Sequence, residues 1–234
     1  VMVPATFMLK EHDLIYRIQR ASINAVICTD VGDIAETIDN VVPECSTLET
    51  RILVAGGGGG LAIDNAAELG FGAALSGKEG ICALSAERPG WIDYNTAVRE
   101  YDGAWDRAET LADDPMLMYF SSGTSGNPKM VMHDSGYAVA HTVTAKHWHN
   151  VKSDGGVHFT IADTGWGKAV WGKFYGQWIM EACVLTYDFD RFNAADILDL
   201  VSRKGVTTLC CPPTMYRMFT EVDVDSFDLS KLEY

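Results

Sequence analysis

Residues 182–210 carry the pattern that most constrains this chain. Two short apolar runs, Ala182–Tyr187 and Val206–Cys210, flank a fully punctuated helix. Asn193 is a suitable N-cap with Asp196 at the third helical position, Ile197 and Val201 share a face, Arg203 and Lys204 lie in the last turn, and Gly205 stands at the stop. Two strands joined through a helix run parallel, because a crossover returns the chain to the same end of the sheet.

The alternation recurs along most of the chain. His12–Ala21 places Leu14, Ile15, Ile18 and Ala21 on one helical face, after a short strand-like run at Val1–Ala5. Asn24–Cys28 and Arg51–Ala55 read as buried strands, with a helix over Val31–Val42 ended by Pro43. Met116–Phe120, Lys129–Met132 and Val157–Ala162 read as further strands. Ser135–His149, with Tyr137, Ala140, Thr144 and Trp148 along one side, and Gly165–Met180 read as helices. Pro213–Phe219 starts a helix with Pro in its first turn. The fold class expected is α/β, built from parallel-sheet βαβ subdomains with helices on both faces. Asp102–Asp114 is acidic and polar, so a boundary there divides a first subdomain, 1–105, from a second, 106–234. Trp91–Val98 resumes order after 56–90, the least interpretable stretch. The run Gly56–Gly60 follows a strand, but lacks the spacing of a dinucleotide fingerprint and reads as a mobile loop.

Composition removes several classes of function. Eighteen Lys and Arg against 32 Asp and Glu give a net charge of −14, the wrong sign for a nucleic-acid footprint or an anionic membrane surface. Apolar residues at 47% suffice for a core, and no apolar run approaches the roughly 18 residues needed to span a bilayer. The six cysteines show no CxxC spacing, and Cys210-Cys211 sit in an apolar stretch, which fits reduced thiols and a cytoplasmic protein. His141, His147 and His149 are spaced wrongly to chelate together from one helix, so they read as polar surface residues and no metal site is expected.

The segment with chemistry in it is Ser121-Ser122-Gly123-Thr124-Ser125-Gly126-Asn127-Pro128-Lys129, between two apparent strands. The two glycines let several backbone N–H groups turn inward as an anion nest, four hydroxyls add donors, and Lys129 supplies a compact positive charge. Such a loop suits a polyphosphate, and an acidic protein binding ATP needs Mg²⁺ to screen the triphosphate. The plainer reading is a Ser/Gly-rich hairpin turn with no ligand.

The segment, followed by Met130, resembles the phosphate-binding signature of the adenylate-forming (AMP-binding) acyl-CoA synthetase family, in its medium-chain and acetyl-CoA-synthetase-like branch. Met132-His133-Asp134, Ala162-Asp163-Thr164-Gly165-Trp166, Val170-Trp171-Gly172-Lys173, Tyr175-Gly176-Gln177-Trp178 and Cys211–Arg217 resemble the same branch. Residues 1–55 and 91–100 match less closely, and 56–90 carry no resemblance. The resemblance implies the fold of that family's N-terminal domain and a two-step ligation. A short- or medium-chain carboxylic acid would attack the α-phosphorus of ATP, and coenzyme A would then displace AMP. It also implies that Ser121–Lys129 hold the ATP phosphates, and that Asp163, Thr164, Gly165 and Trp166 border the acyl pocket, at the carboxyl end of a parallel strand where ligands of open sheets bind. Trp166 has a second reading as a core tryptophan.

The family's adenine-contacting, ribose-binding and hinge segments, and its catalytic Lys, would lie downstream of Tyr234. The chain is therefore expected to be a fragment, inactive alone, with uncovered sheet faces that favour poor solubility or self-association. The alternative from another class is a non-enzymatic nucleotide-binding or interaction module reusing half the fold.

Overall fold

The computed structural model describes residues 1–54, 88–121, 126–152, 156–187, 189 and 191–234. The expected Gly56–Gly60 loop, Cys82 and Ser122–Ser125 lie outside them. The chain divides into two compact units, Phe7–Arg107 and a second that joins Val1–Thr6 to Ala108–Tyr234.

In the unit 7–107, helix α1 (Glu11–Ala21) leads to β1 (Ala25–Thr29), α2 (Ile34–Val41), β2 (Thr50–Val54), β3 (Ile92–Asp93) and α3 (Tyr94–Glu100). The three strands form a parallel sheet in the order β1-β2-β3. Ile18 from α1 and Ile38 and Val41 from α2 bury against Cys45 and Leu48, as the apolar periodicity of both helices requires. Pro43 does not end α2 abruptly. It sits inside a 3₁₀ turn, Val42–Glu44, where its fixed φ is tolerated. Beside β2, the Asp39 carboxylate accepts hydrogen bonds from Arg51, from Arg88 Nε at 2.7 Å and from Trp91 Nε1 at 2.8 Å.

The second unit contains β4 (Pro115–Ser121), β5 (Lys129–Asp134), α4 (Gly136–His147), β6 (Val157–Thr160), α5 (Gly167–Trp171), α6 (Tyr175–Ile179), β7 (Cys183–Leu185), α7 (Ala194–Lys204), β8 (Val206–Cys210) and α8 (Pro213–Phe219). Strands β4 and β5 pair antiparallel, whereas β7-β6-β8 form a parallel sheet. The α7 punctuation forms as read. Asn193 Oδ1 accepts from the N–H of Ala195 at 2.9 Å and of Asp196 at 3.4 Å, and Gly205 adopts φ +60°. Ile197, Leu198, Leu200 and Val201 of α7 pack with Phe159, Val206, Leu209 and Phe219 to make the core of this unit.

Three local expectations change. Val1–Ala5 forms no extended strand. Met2 alone bridges Leu117, and its backbone exchanges hydrogen bonds with Met116 and Met118 at 2.9 Å, which places Val1–Thr6 with the second unit and not with the first ninety residues of the chain. The span Gly165–Met180 is two short helices, not one. It breaks where the Gly172 carbonyl accepts from buried side chains of β6 instead of continuing the helical ladder. Helix α4 stops at His147, two residues short of the expected end.

Candidate functional site

The β4–β5 hairpin sets the mouth of the Gly/Ser/Thr loop. Ser121 and Lys129 face each other as the last paired residues of the ladder. Both are exposed, so the hydroxyl and the ammonium flank the base of the loop on the solvent side. Gly126 has φ +91°, a conformation that only glycine adopts without strain, and Asn127 and Pro128 complete the return to β5. Ser122, Gly123, Thr124 and Ser125 lie outside the described residues.

Asp163–Trp166 leads from the carboxyl end of β6 into α5. Asp163 Oδ1 accepts from the Gly165 N–H at 2.7 Å, and Oδ2 accepts from the Thr6 hydroxyl at 2.9 Å. Thr164 donates to the Ala5 carbonyl at 3.0 Å. A Cβ on Gly165 would stand 2.4 Å from the Thr6 nitrogen, so this turn and the first six residues approach each other too closely for any side chain there. Trp166 is the N-cap of α5 and is 67% exposed, which excludes the core reading.

Two cavities share Trp148 and Trp171, the smaller lined also from α4 and the larger also from His149, β6, β8 and α8. The larger, about 510 Å³, is lined by Trp148, His149, His158, Lys168, Trp171 and Tyr216, with Cys210 and Cys211. The smaller, about 280 Å³, lies between Tyr137, His141, Thr144, Trp148 and Trp171. Neither is lined by Asp163–Trp166, but Lys168 and Trp171 of the following helix reach the larger one.

The histidines correct the surface reading made from spacing. His147 is exposed, but His141 is half-buried and His149 is only 5% exposed. His158, in the centre of the β7-β6-β8 sheet, is 1% exposed. Its Nε2 lies 2.8 Å from the Gly172 carbonyl, which can only accept, so Nε2 carries the proton. Its Nδ1 then accepts from the Thr208 hydroxyl at 2.7 Å. Burial pushes the His158 imidazole down to about 4, and the same cause, aided by nearby His158, His141 and Lys168, pushes His149 down to about 4. Both are therefore neutral near pH 7. The rings of His133, Tyr137, His141, Trp171, His149 and His158 follow one another at centroid distances of 4.1 to 6.4 Å.

The thiols are free among the described residues. Cys211 is buried and Cys210 half-buried, and burial pushes both up, so neither is an activated nucleophile. No group of three or more His, Cys, Asp or Glu among the described residues could hold a metal ion.

A model for the family described as AMP-binding enzyme matches residues 1–234. The chain belongs to that family. The match runs through 56–90, where no motif had carried a resemblance. The human mitochondrial acyl-coenzyme A synthetase ACSM5 is 29% identical over 235 residues, covering all of this chain and 35% of the relative, and the mouse mitochondrial ACSM4 is 26% identical with the same coverage. The chain thus spans about a third of the length of these relatives. Among solved structures, the anthranilate CoA ligase AuaEII in complex with anthranoyl-AMP superimposes with a TM-score of 0.74 at 19% identity, covering 96% of this chain and 38% of the ligase. An acyl-CoA synthetase of Brucella canis gives 0.70 at 17%, covering 94% and 34%. These likenesses establish the shared α/β fold with parallel sheets flanked by helices, and the sequence resemblance to acyl-CoA synthetases is borne out.

Among the buried polar residues, spacing missed His149, His158 and Gln177. Gln177 had been noted only as part of a resembling motif. The available signal for His158 was its place in an otherwise apolar strand, where a polar side chain must find partners.

Proposed function

We propose that this chain is the phosphate-loop and acid-pocket portion of an AMP-forming acyl-CoA synthetase acting on a short- or medium-chain carboxylic acid. The observation that carries this reading is Lys129 opposite Ser121 at the neck of a Gly-rich hairpin loop, with Gly126 already in the left-handed conformation. Ser121–Lys129 receive the β- and γ-phosphates of ATP, with Mg²⁺ screening the triphosphate charge. A carboxylate oxygen of the acid attacks the α-phosphorus, the bond to the β-phosphate oxygen breaks, and pyrophosphate leaves from a site that stabilises its charge. The thiolate of coenzyme A then attacks the acyl carbonyl and AMP departs. Asp163, Thr164, Gly165 and Trp166 border the acid at the carboxyl end of β6, a position that ligands of open parallel sheets favour. The groups that fix adenosine and complete catalysis lie outside this chain, so the 234-residue chain is inactive alone. Free thiols fit a reducing compartment, the cytoplasm, which cell fractionation checks.

The test is acid-dependent pyrophosphate–ATP exchange by the full-length protein that contains this chain. Exchange that Lys129→Ala lowers by tenfold or more through the apparent ATP affinity supports the reading. Unchanged ATP kinetics in that variant refute the role of the loop. ATP binding with no acid-dependent exchange would favour a non-enzymatic nucleotide-binding module.

A further inference from the structure

The stretch Met2–Thr6 touches both sides of the proposed site. At one end the Met2 N–H donates to the Met116 carbonyl and the Met118 N–H donates to the Met2 carbonyl, each at 2.9 Å. These bonds fix Met2 beside Leu117 of β4, the strand whose last residue is Ser121 at the neck of the Gly-rich loop. At the other end the Thr6 hydroxyl donates to Asp163 Oδ2 at 2.9 Å, and the Thr164 hydroxyl donates to the Ala5 carbonyl at 3.0 Å. One short segment thus ties the phosphate-loop strand to the turn that follows β6.

Neither tie is needed to shape that turn. Asp163 Oδ1 accepts from the Gly165 N–H at 2.7 Å, and the Asp163 carbonyl accepts from the Trp166 N–H at 3.0 Å, so the turn is closed from within. What Thr6 and Ala5 add is position, because they hold the closed turn against a segment that is itself anchored to β4. The Thr6 bond is the stronger of the two ties, since its acceptor is a carboxylate. The approach is also close along the backbone. A Cβ on Gly165 would stand 2.4 Å from the Thr6 nitrogen and 3.0 Å from the Ala5 carbonyl carbon, so a shift of the segment carries the turn with it. Trp166, 67% exposed and next along the turn, moves with Gly165.

We propose that Thr6 is a positioning residue for the acid side of the site. Its hydroxyl acts through Asp163 to set where Thr164, Gly165 and Trp166 lie relative to Ser121 and Lys129, and so where the acid lies relative to the triphosphate. This rests on the acid-ligating reading above and adds to it a residue 157 positions away from its partner in sequence.

The test is acid-dependent pyrophosphate–ATP exchange by the full-length protein, unmodified and as Thr6→Val and Thr6→Ser. Valine keeps the shape of threonine and loses the donor, whereas serine keeps the donor. Thr6→Val should raise the KM for the acid by about three- to tenfold, part of the value of a hydrogen bond to a charged group, and leave the KM for ATP unchanged. Thr6→Ser should behave as the unmodified protein. Thr6→Ala, which also lacks the hydroxyl and adds no bulk, repeats the comparison if the valine variant does not fold. Hydrogen–deuterium exchange read by mass spectrometry should be faster across 161–171 in the variants without the hydroxyl and unchanged across α7. An acid KM that neither of those variants moves, exchange across 161–171 that ignores the hydroxyl, a rise in both Michaelis constants, or a serine variant as impaired as valine overturns the role of Thr6 and leaves the acid pocket and the phosphate loop standing. Absence of acid-dependent exchange in the unmodified protein overturns the ligase reading and this inference with it.

Discussion

The buried imidazoles make the second unit sensitive to mild acid, and the size of the effect follows from their burial. His158 and His149 each fall from the ordinary 6.5 to about 4. An unfolded chain takes up protons at these positions below pH 6.5, while the folded chain refuses them until about 4. The unfolded state therefore binds more protons in that window, and stability falls as pH drops through it. The contribution is complete above pH 6.5. At pH 5 each histidine costs about 2 kcal/mol, at ~1.4 kcal/mol per pH unit. The two rings are 5.0 Å apart, so they titrate as a pair and the combined loss is roughly 3–4 kcal/mol. That is a large fraction of the roughly 5–15 kcal/mol of a typical domain. Urea unfolding at pH 7.5 and pH 5 measures it, followed by fluorescence because Trp148, Trp166, Trp171 and Trp178 all belong to this unit. With a urea slope of about 2 kcal/mol/M, the midpoint should drop by roughly 1.5–2 M. His158→Gln retains a donor toward Gly172 and an acceptor toward Thr208 but cannot titrate. It should remove about half of the drop. A variant with the full pH dependence of the unmodified chain would refute the assignment to these histidines.

Other perturbations act on separate parts of the molecule. Desolvation pushes the Asp39 carboxyl up, but hydrogen bonds from Trp91 and Arg88 and the charges of Arg88 and Arg51 outweigh it and hold the group below its usual 3.8. Its contribution is present above 3.8 and lost as pH falls below that value, so Asp39→Asn should flatten only the most acid part of the stability curve of the unit 7–107, at a cost of about 1 kcal/mol at pH 7 for a partly exposed cluster. Gly165→Ala should loosen the first six residues, seen as faster proteolysis there, with a loss of roughly 1–3 kcal/mol from overpacking against Thr6. Asn193→Ala removes the cap of α7 and should cost about 1 kcal/mol in urea unfolding.

The elements legible in the sequence were those whose signals are local. Helix α7 has its cap, its apolar face and its glycine stop within a dozen residues, and each does what its chemistry dictates. The β4–β5 hairpin is likewise readable from two apolar runs around a Gly-rich loop. The split of 165–180 into two helices was not legible, because its cause is distant in sequence. The Gly172 carbonyl is claimed by the Thr160 hydroxyl at 2.7 Å and by His158, both on another strand, and a Cβ at Gly172 would stand 2.5 Å from the Lys168 carbonyl. Glycine at 172 advertises a tight approach, but nothing near it names the partner.

His149 shows how one misplaced boundary moves a residue from surface to core. If α4 continued through His149, that side chain would lie opposite His147 and the surface reading would follow. The helix instead ends at His147. The N–H of His149 donates to the Thr144 carbonyl at 3.1 Å, that of Val151 donates to Ala145 at 2.9 Å, and Asn150 takes φ +51°. This is a helix end closed by a left-handed residue, and asparagine is, after glycine, the residue suited to that conformation. The turn swings His149 under Trp171 and onto Gln177, where burial strips its charge and the amide fixes its tautomer. The stop signal was Asn150, one residue beyond the histidine it buries. The same turn predicts that Asn150→Ala, which suits the left-handed conformation less well, lowers the stability of the second unit by about 1 kcal/mol in urea unfolding followed by tryptophan fluorescence. A urea midpoint unchanged in Asn150→Ala would show that the placement of His149 does not depend on this turn.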